Sequence, residues 1–180
     1  MPTILTLLPE GFEEVEAVTP IDVWRRAGLT VTTAALGETM HVTGRNGITL
    51  HADTTLAQVP TEAEFDAVFL PGGPGVKHLR ADSRVRQRVE NQAKDGGWLF
   101  AICAAPTVLH DAGLLNNRRY TAHFSVASEL PHILAESRVV VDGRIITSRG
   151  AGTALDFGLE CIRQLLTPAE ADKVAVGICA

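Results

Sequence analysis

The sequence predicts an α/β fold in which a mostly parallel sheet carries helices on both faces. Three observations predict it. Short apolar runs alternate with amphipathic stretches, the pattern that strand–helix crossover units leave in a sequence. One run, Trp98–Ile102, is apolar without interruption, as a strand covered on both faces must be. Small or glycine-rich segments, Leu70-Pro71-Gly72-Gly73-Pro74-Gly75 and Cys103-Ala104-Ala105-Pro106, follow two of the runs directly. They stand where a strand must turn sharply into the next element.

Strands are predicted over Thr3–Leu8, Leu29–Leu36, Phe65–Leu70, Trp98–Cys103, Tyr120–Ala122 and Arg144–Ser148. A helix from about Glu14 to Ala27 places Val15, Val18, Ile21 and Trp24 on one side and stops at Gly28, with Pro20 expected to bend it. A second helix carries Leu155, Leu159, Ile162 and Leu166 at i, i+4, i+7 and i+11, one apolar stripe. Hairpins are predicted at Asn46-Gly47 and Asp142-Gly143, dipeptides that tolerate the positive φ angles of a type I′ turn. No internal repeat, low-complexity tract or Ser/Gly/Pro linker interrupts residues 1–180, so one domain is expected.

Composition narrows the function classes. With 46% apolar and 21% charged residues the chain has an ordinary globular balance, and a formal charge of −5 without a block of Lys or Arg offers little to nucleic acid or a membrane surface. The apolar N-terminal segment lacks preceding basic residues and meets Glu10, Glu13, Glu14 and Glu16 at once, so it reads as a strand and not a signal peptide. No stretch approaches the roughly 18 apolar residues of a membrane span. A cytoplasmic protein is expected. Cys103, Cys161 and Cys179 form neither a CxxC pair nor a metal-ligand spacing, so free thiols and no metal are expected.

Cys103 is the first candidate for chemistry. It follows a buried strand and opens a helix, with alanines at 101, 104 and 105 leaving the room that a nucleophile elbow needs. A helix N-terminus beside the sulfur is expected to lower the thiol pKa. The alternative is a small buried hydrophobe. The Gly72-Gly73 loop leaves another strand end, where its amides either face a ligand as oxyanion donors or merely close a tight turn. In an open parallel sheet both loops reach the carboxyl edge, where such folds place ligands. Glu13 and Glu14 read as dipole-stabilised surface groups of a first helical turn. Glu16, between Val15 and Ala17, is free to point differently. Among six histidines His123 alone follows a predicted strand end, while His41, His51, His78, His110 and His132 read as structural or solvent-facing. Cys161 reads as packed in its helix and Cys179 as frayed.

Together these motifs resemble the ThiJ/PfpI superfamily, in the branch that contains the Parkinson-associated protein deglycase and bacterial YajL. The resemblance runs nearly end to end, through Gly11-Phe12-Glu13-Glu14-Val15-Glu16, Pro20-Ile21-Asp22-Val23, Arg26-Ala27-Gly28, Leu70-Pro71-Gly72-Gly73, Ala101-Ile102-Cys103-Ala104-Ala105-Pro106 and Thr147-Ser148-Arg149-Gly150-Ala151-Gly152-Thr153. It implies a flavodoxin-like sandwich, a homodimer, Cys103 as the strained nucleophile and Glu16 as the carboxyl group that hydrogen-bonds it. His123 matches the family's active-site histidine, although Phe124-Ser125-Val126 departs from relatives. The family's pocket arginine, supplied by the partner's hairpin, aligns with Asn46, one place from Arg45. His51 stands at a dimer-interface cysteine of some relatives, and Ala151 at a frequent proline.

The expected function is that of a cysteine-dependent, cofactor-free glyoxalase or deglycase acting on a small 2-oxoaldehyde such as methylglyoxal, or on a glycated amine or thiol. Glu16 and His123 would move protons, with Gly72, Gly73 and Ala104 as oxyanion donors. The rival is a redox sensor or redox-regulated chaperone that works through oxidation of Cys103. A peptidase or amidase reading is weaker, because those superfamily members place a histidine directly after the cysteine and this chain has Ala104 there.

Overall fold

The computed structural model describes residues 1–180. Strands β1 (Thr3–Leu8), β2 (Thr30–Ala35), β5 (Thr54–Thr55), β6 (Ala67–Leu70), β7 (Trp98–Ile102), β8 (Val139–Asp142) and β9 (Ile145–Ser148) form one sheet in the order β5-β2-β1-β6-β7-β9-β8. All its pairings are parallel except β8 with β9. The run β2-β1-β6-β7-β9 is the doubly wound flavodoxin-like order, as expected. Its direction of winding reverses between β1 and β6, and the loops leaving those two strands part at the carboxyl edge. That edge holds the candidate site.

Alternation along the strands feeds two apolar layers. Leu5, Leu7, Val68, Leu70, Leu99 and Ala101 face helices α2 (Val76–Ala81), α3 (Ser83–Lys94) and α4 (Pro106–Asp111). Ile4, Phe69, Phe100, Ile102 and Ile146 face α1 (Glu14–Arg26), α5 (Ala154–Leu165) and α6 (Pro168–Gly177). Trp24 anchors the second layer: it is fully buried against Phe69, Phe100 and Phe157, and its indole N–H donates to Gly158 O at 3.0 Å. Gly158 sets how closely α1 and α5 approach, since a β-carbon there would come 2.6 Å from Val23 Cγ2 and 3.2 Å from Pro20 Cα.

Four expectations are corrected. Tyr120–Ala122 is not a strand. Beyond β9 the sheet position belongs to antiparallel β8, and Tyr120 makes only an isolated bridge to Ile133. In α1 the buried face is Glu16, Ala17, Pro20, Ile21, Val23 and Trp24, while Val15 and Val18 remain 48% and 41% exposed. Packing against α5 and the site, and not the apolar spacing alone, decides which side turns inward. The Asn46-Gly47 turn joins β3 (His41–Thr43) to β4 (Thr49–His51), yet only Gly47 has positive φ. Gly44 N–H donates to Ile48 O at 2.9 Å, so Arg45, Asn46 and Gly47 form a three-residue loop and not a type I′ turn. Between β8 and β9 the loop is Gly143-Arg144 with only Gly143 at positive φ, the type II′ pattern.

Candidate active site

Cys103 follows β7 without a spacer and sits at φ +65°, in the left-handed region. For a residue with a β-carbon that conformation costs about 1–2 kcal/mol. It persists because the backbone is pinned on both sides: Cys103 N–H donates to Ser148 O at 2.9 Å and Cys103 C=O accepts from His123 N–H at 2.8 Å. Ala105 N–H donates to Ile102 O at 3.0 Å beneath the turn, where Ala101 and Ala105 are wholly buried. The elbow predicted from the alanines is therefore present, with Cys103 only partly exposed. Cys161 is buried and Cys179 exposed, as read from the sequence.

Glu16 reaches this elbow from the first turn of α1 and is 2% exposed. Its N–H donates to Glu13 Oε2 at 2.8 Å, so Glu13 is the N-cap of the helix. The surface reading of Glu13 and Glu14 fails, since both are buried. The β3–β4 hairpin folds over the helix start, and Glu14 accepts from Asn46 N–H at 2.7 Å, Asn46 Nδ2 at 3.0 Å and Ile48 N–H at 3.4 Å. Burial works to raise the Glu14 carboxyl, but its own amide and those of Asn46 and Ile48 outweigh it and hold the group below the usual carboxylate range. Asn46 is thereby committed to its own chain.

Gly72 is bare because its neighbours fill the space. A β-carbon there would overlap Glu16 Oε2 and lie 2.5 Å from Cys103 Cβ. Gly73, at φ +94°, is crowded in turn by Glu13 N and Gly11 O, at 2.6 and 2.7 Å from a β-carbon position. The loop after β6 is thus locked against the loop after β1, with Glu13 N–H donating to Gly72 O at 3.0 Å and Gly75 N–H to Gly11 O at 2.9 Å.

Two ionisable groups now share one small volume. Burial raises the Glu16 carboxyl to about 7, opposed by hydrogen bonding from Cys103 and the amides of Gly72 and Ala151. Burial also pushes the Cys103 thiol up to about 12, reinforced by the Glu16 charge and hydrogen bond, while the amides of Gly73 and Ala104 pull the other way. The expected lowering of this thiol by a helix N-terminus is corrected. Burial, the Glu16 charge and the Glu16 hydrogen bond together outweigh the amides of Gly73 and Ala104, and the helix α4 that follows is only six residues long. The carboxyl therefore loses its proton near pH 7 while the thiol keeps its own, and above that pH the pair holds one proton. Glu16 Oε2 is buried without a hydrogen-bond partner. The predicted oxyanion donors divide accordingly: the amides of Gly73 and Ala104 favour the thiolate, and that of Gly72 favours the Glu16 carboxylate.

His123 closes the third side. A β-carbon on Gly150 would lie 3.4 Å from His123 Cδ2 and 3.5 Å from Glu16 Oε1, so the imidazole and carboxyl face each other across that glycine. Its Nδ1 accepts from Ser125 N–H at 3.2 Å, which places the proton of the neutral ring on Nε2. Burial and the charge of Arg45 lower its pKa, so the ring is a neutral donor at pH 7. Arg45, whose N–H donates to Phe12 O at 2.8 Å, thus acts on the site of its own chain. Sequence reasoning left open whether Arg45 or Asn46 enters a partner's pocket. An open groove of about 590 Å³, lined by His123, Phe124, Arg149, Gly150 and Ala151, leads away from the imidazole. A hollow of about 620 Å³ at the opposite edge of the sheet, beside Asp66, Trp98 and Arg144, holds none of these residues.

Residues 2–164 match the DJ-1/PfpI family. The chain is 33% identical over 179 residues to a Caenorhabditis elegans protein named glutathione-independent glyoxalase DJR-1.2, covering 98% of this chain and 95% of that one. Among solved structures, Drosophila melanogaster DJ-1beta superposes with a TM-score of 0.95 at 37% identity, covering 99% of this chain and 98% of that one. Oxidized Toxoplasma gondii DJ-1 gives a TM-score of 0.94 at 30% identity, with coverage of 99% and 98%.

Proposed function

The chain belongs to the DJ-1/PfpI family, and we propose that it converts a small 2-oxoaldehyde to a 2-hydroxy acid with Cys103 as nucleophile and Glu16 as proton shuttle. The observation that carries this reading is the buried Glu16 carboxyl set against Cys103 at the strained elbow. The glyoxalase named among the relatives supports the substrate class.

The thiol proton passes to Glu16 as the sulfur attacks the aldehyde carbon of methylglyoxal, forming the C–S bond. Glu16 returns that proton to the resulting alkoxide, which the Gly73 and Ala104 amides steady, giving a neutral hemithioacetal. The carboxylate then removes the hydrogen on the sulfur-bearing carbon and delivers it to the neighbouring carbon through an enediol. One hydroxyl proton moves between the two oxygens, with His123 Nε2 as relay. The product is a thioester of lactate. Water, its proton taken by Glu16, cleaves the C–S bond and releases lactate and the free thiol. Overall one water is added, and the aldehyde carbon is oxidised as its ketone neighbour is reduced, so the scheme needs no external oxidant, reductant or cofactor. An already glycated amine or thiol would be reversed at the same sulfur.

Purified protein incubated with methylglyoxal, without glutathione or added metal, should yield lactate in a chiral assay, and Cys103→Ser should yield none. Absence of lactate from the wild type would overturn the reading. A second reading is favoured by the buried Glu16 Oε2, left without a partner beside a partly exposed sulfur. Oxidation of Cys103 to a sulfinate would give that carboxyl, once protonated, an oxygen to bond. Peroxide-treated protein that gains a stable sulfinate while the native protein turns over no aldehyde would favour it.

A further inference from the structure

We propose that Thr153 is a positioning residue for the acid and nucleophile, its buried hydroxyl fixing the Gly150–Ala151 turn beside Glu16 and His123. The inference rests on the reading of Glu16 and Cys103 as a working pair, and it assigns that pair a support that lies wholly inside one chain.

The Thr153 hydroxyl is placed for one task and used for another. Thr153 is the N-cap of α5, where a threonine oxygen ordinarily accepts an N–H from the first helical turn. It makes no such bond. Its Oγ1 instead accepts from Gly150 N–H at 3.2 Å and lies 2.9 Å from Gly150 O and 2.7 Å from Ser148 Oγ. Ser148 Oγ stands in turn 2.8 Å from Arg138 O, so the two hydroxyls tie the turn to the end of β9 and the approach to β8. Thr153 is 5% exposed and Ser148 is fully buried, so water does not compete for these bonds.

The turn held in this way touches the site. Gly150 is the residue across which Glu16 and His123 face each other, and the Ala151 amide is one of those that favour the Glu16 carboxylate. Ser148 carries the other half of the arrangement, because its carbonyl accepts Cys103 N–H at 2.9 Å. One strand end therefore fixes the nucleophile through its backbone and the turn beside the carboxyl through its side chain. Gly150 O has a second donor in Thr153 N–H at 2.9 Å, but the buried Gly150 N–H has no acceptor besides the hydroxyl. Without that oxygen the turn must shift to satisfy the N–H, and the shift carries the Ala151 amide with it.

Thr153→Val keeps the shape and loses the hydroxyl, whereas Thr153→Ser keeps the hydroxyl. The rate of Cys103 alkylation by iodoacetamide, mapped to its peptide and followed against pH, reads the carboxyl without any turnover. Once Glu16 ionises, its charge opposes the thiolate, so the rise of rate with pH should flatten near 7 in the wild type. In Thr153→Val that bend should lie at least about 0.5 higher, and Thr153→Ser should restore it. Ser148→Ala, which frees the hydroxyl from the strand, should move the bend in the same direction by less, and it serves if the valine variant does not fold. For lactate formation, kcat should fall at least about tenfold in Thr153→Val with KM changed less than about twofold. A lower melting temperature with the bend unmoved would make the hydroxyl merely structural and overturn the proposal. A bend that moves in a protein whose wild type forms no lactate would uphold the positioning role and overturn the aldehyde reading instead.

Discussion

Glu16 and Cys103 together occupy the space that a side chain at position 72 would need, for a β-carbon on Gly72 would overlap Glu16 Oε2 and lie 2.5 Å from Cys103 Cβ. The loop after β6 therefore sets the distance between acid and nucleophile. Gly72→Ala should push the two apart by a large fraction of an ångström. A displacement of that order at reacting groups costs about 10²-fold in rate, so lactate formation should fall by at least about that factor. Far-ultraviolet dichroism should stay native, and a variant that turns over at the wild-type rate would show that the pair does not act together.

Glu16→Gln should move two rates in opposite directions. Without a proton to shuttle, aldehyde turnover should drop at least about 10²-fold. Removing the carboxylate also removes the charge that holds the thiol protonated. At pH 8, one unit above the carboxyl's value of about 7, iodoacetamide should alkylate Cys103 roughly tenfold faster in the variant. At pH 6 the carboxyl is already protonated in the wild type, and the two proteins should react alike. Peptide mapping is required because the exposed Cys179 will also be labelled.

Stability should carry the same signature. Glu16 has a folded-state value of about 7 against 4.5 as a free group, so the native chain binds the proton more tightly than the unfolded one. Its contribution is fully present below pH 4.5 and is lost as pH rises through 7. Urea unfolding of wild type and Glu16→Gln should therefore diverge across that window, with the wild type losing up to roughly 3 kcal/mol relative to the variant. A difference that stays constant from pH 4.5 to 8 would mean that the carboxyl ionises as freely as in water.

The resemblance implies a homodimer, and α1 supplies a reason. Val15, Val18 and Ile48 are 48%, 41% and 56% exposed, and the amide of Ile48 bonds Glu14 at the start of the same helix, so they lie on one side of the molecule. Light scattering should give twice the 19.2 kDa chain mass, and Val18→Asp should lower it toward one chain without altering the melting temperature of the fold. A single-chain mass for the wild type at micromolar concentration would refute the dimer.

How much of this was legible beforehand follows from the range of each interaction. The elbow could be read because its requirements are local: an unbroken apolar strand, then a cysteine among alanines. The mostly parallel sheet followed from alternation of short runs, and its flavodoxin-like order from the family resemblance. What escaped was set by partners distant in sequence. Glu14 looked like a surface carboxylate because its ligands, Asn46 and Ile48, lie more than thirty residues away. Val15 and Val18 fit an inward stripe by spacing, yet Gly158 draws the Pro20 and Val23 side of the helix inward instead. The cysteine's acidity was misjudged because the sequence shows where a helix begins but not that it ends after six residues, nor that Glu16 is buried against the sulfur.

The left-handed backbone at Cys103 sets function against robustness. Glycine is the one residue that adopts φ +65° freely, so Cys103→Gly relieves a strain of about 1–2 kcal/mol that Cys103→Ala retains. The sturdier chain is then the inert one. In a screen that rewarded thermal tolerance alone, this codon should be among the early ones to change, and the chemistry would vanish while the fold improved. Adding a selection for aldehyde resistance should hold the cysteine in place.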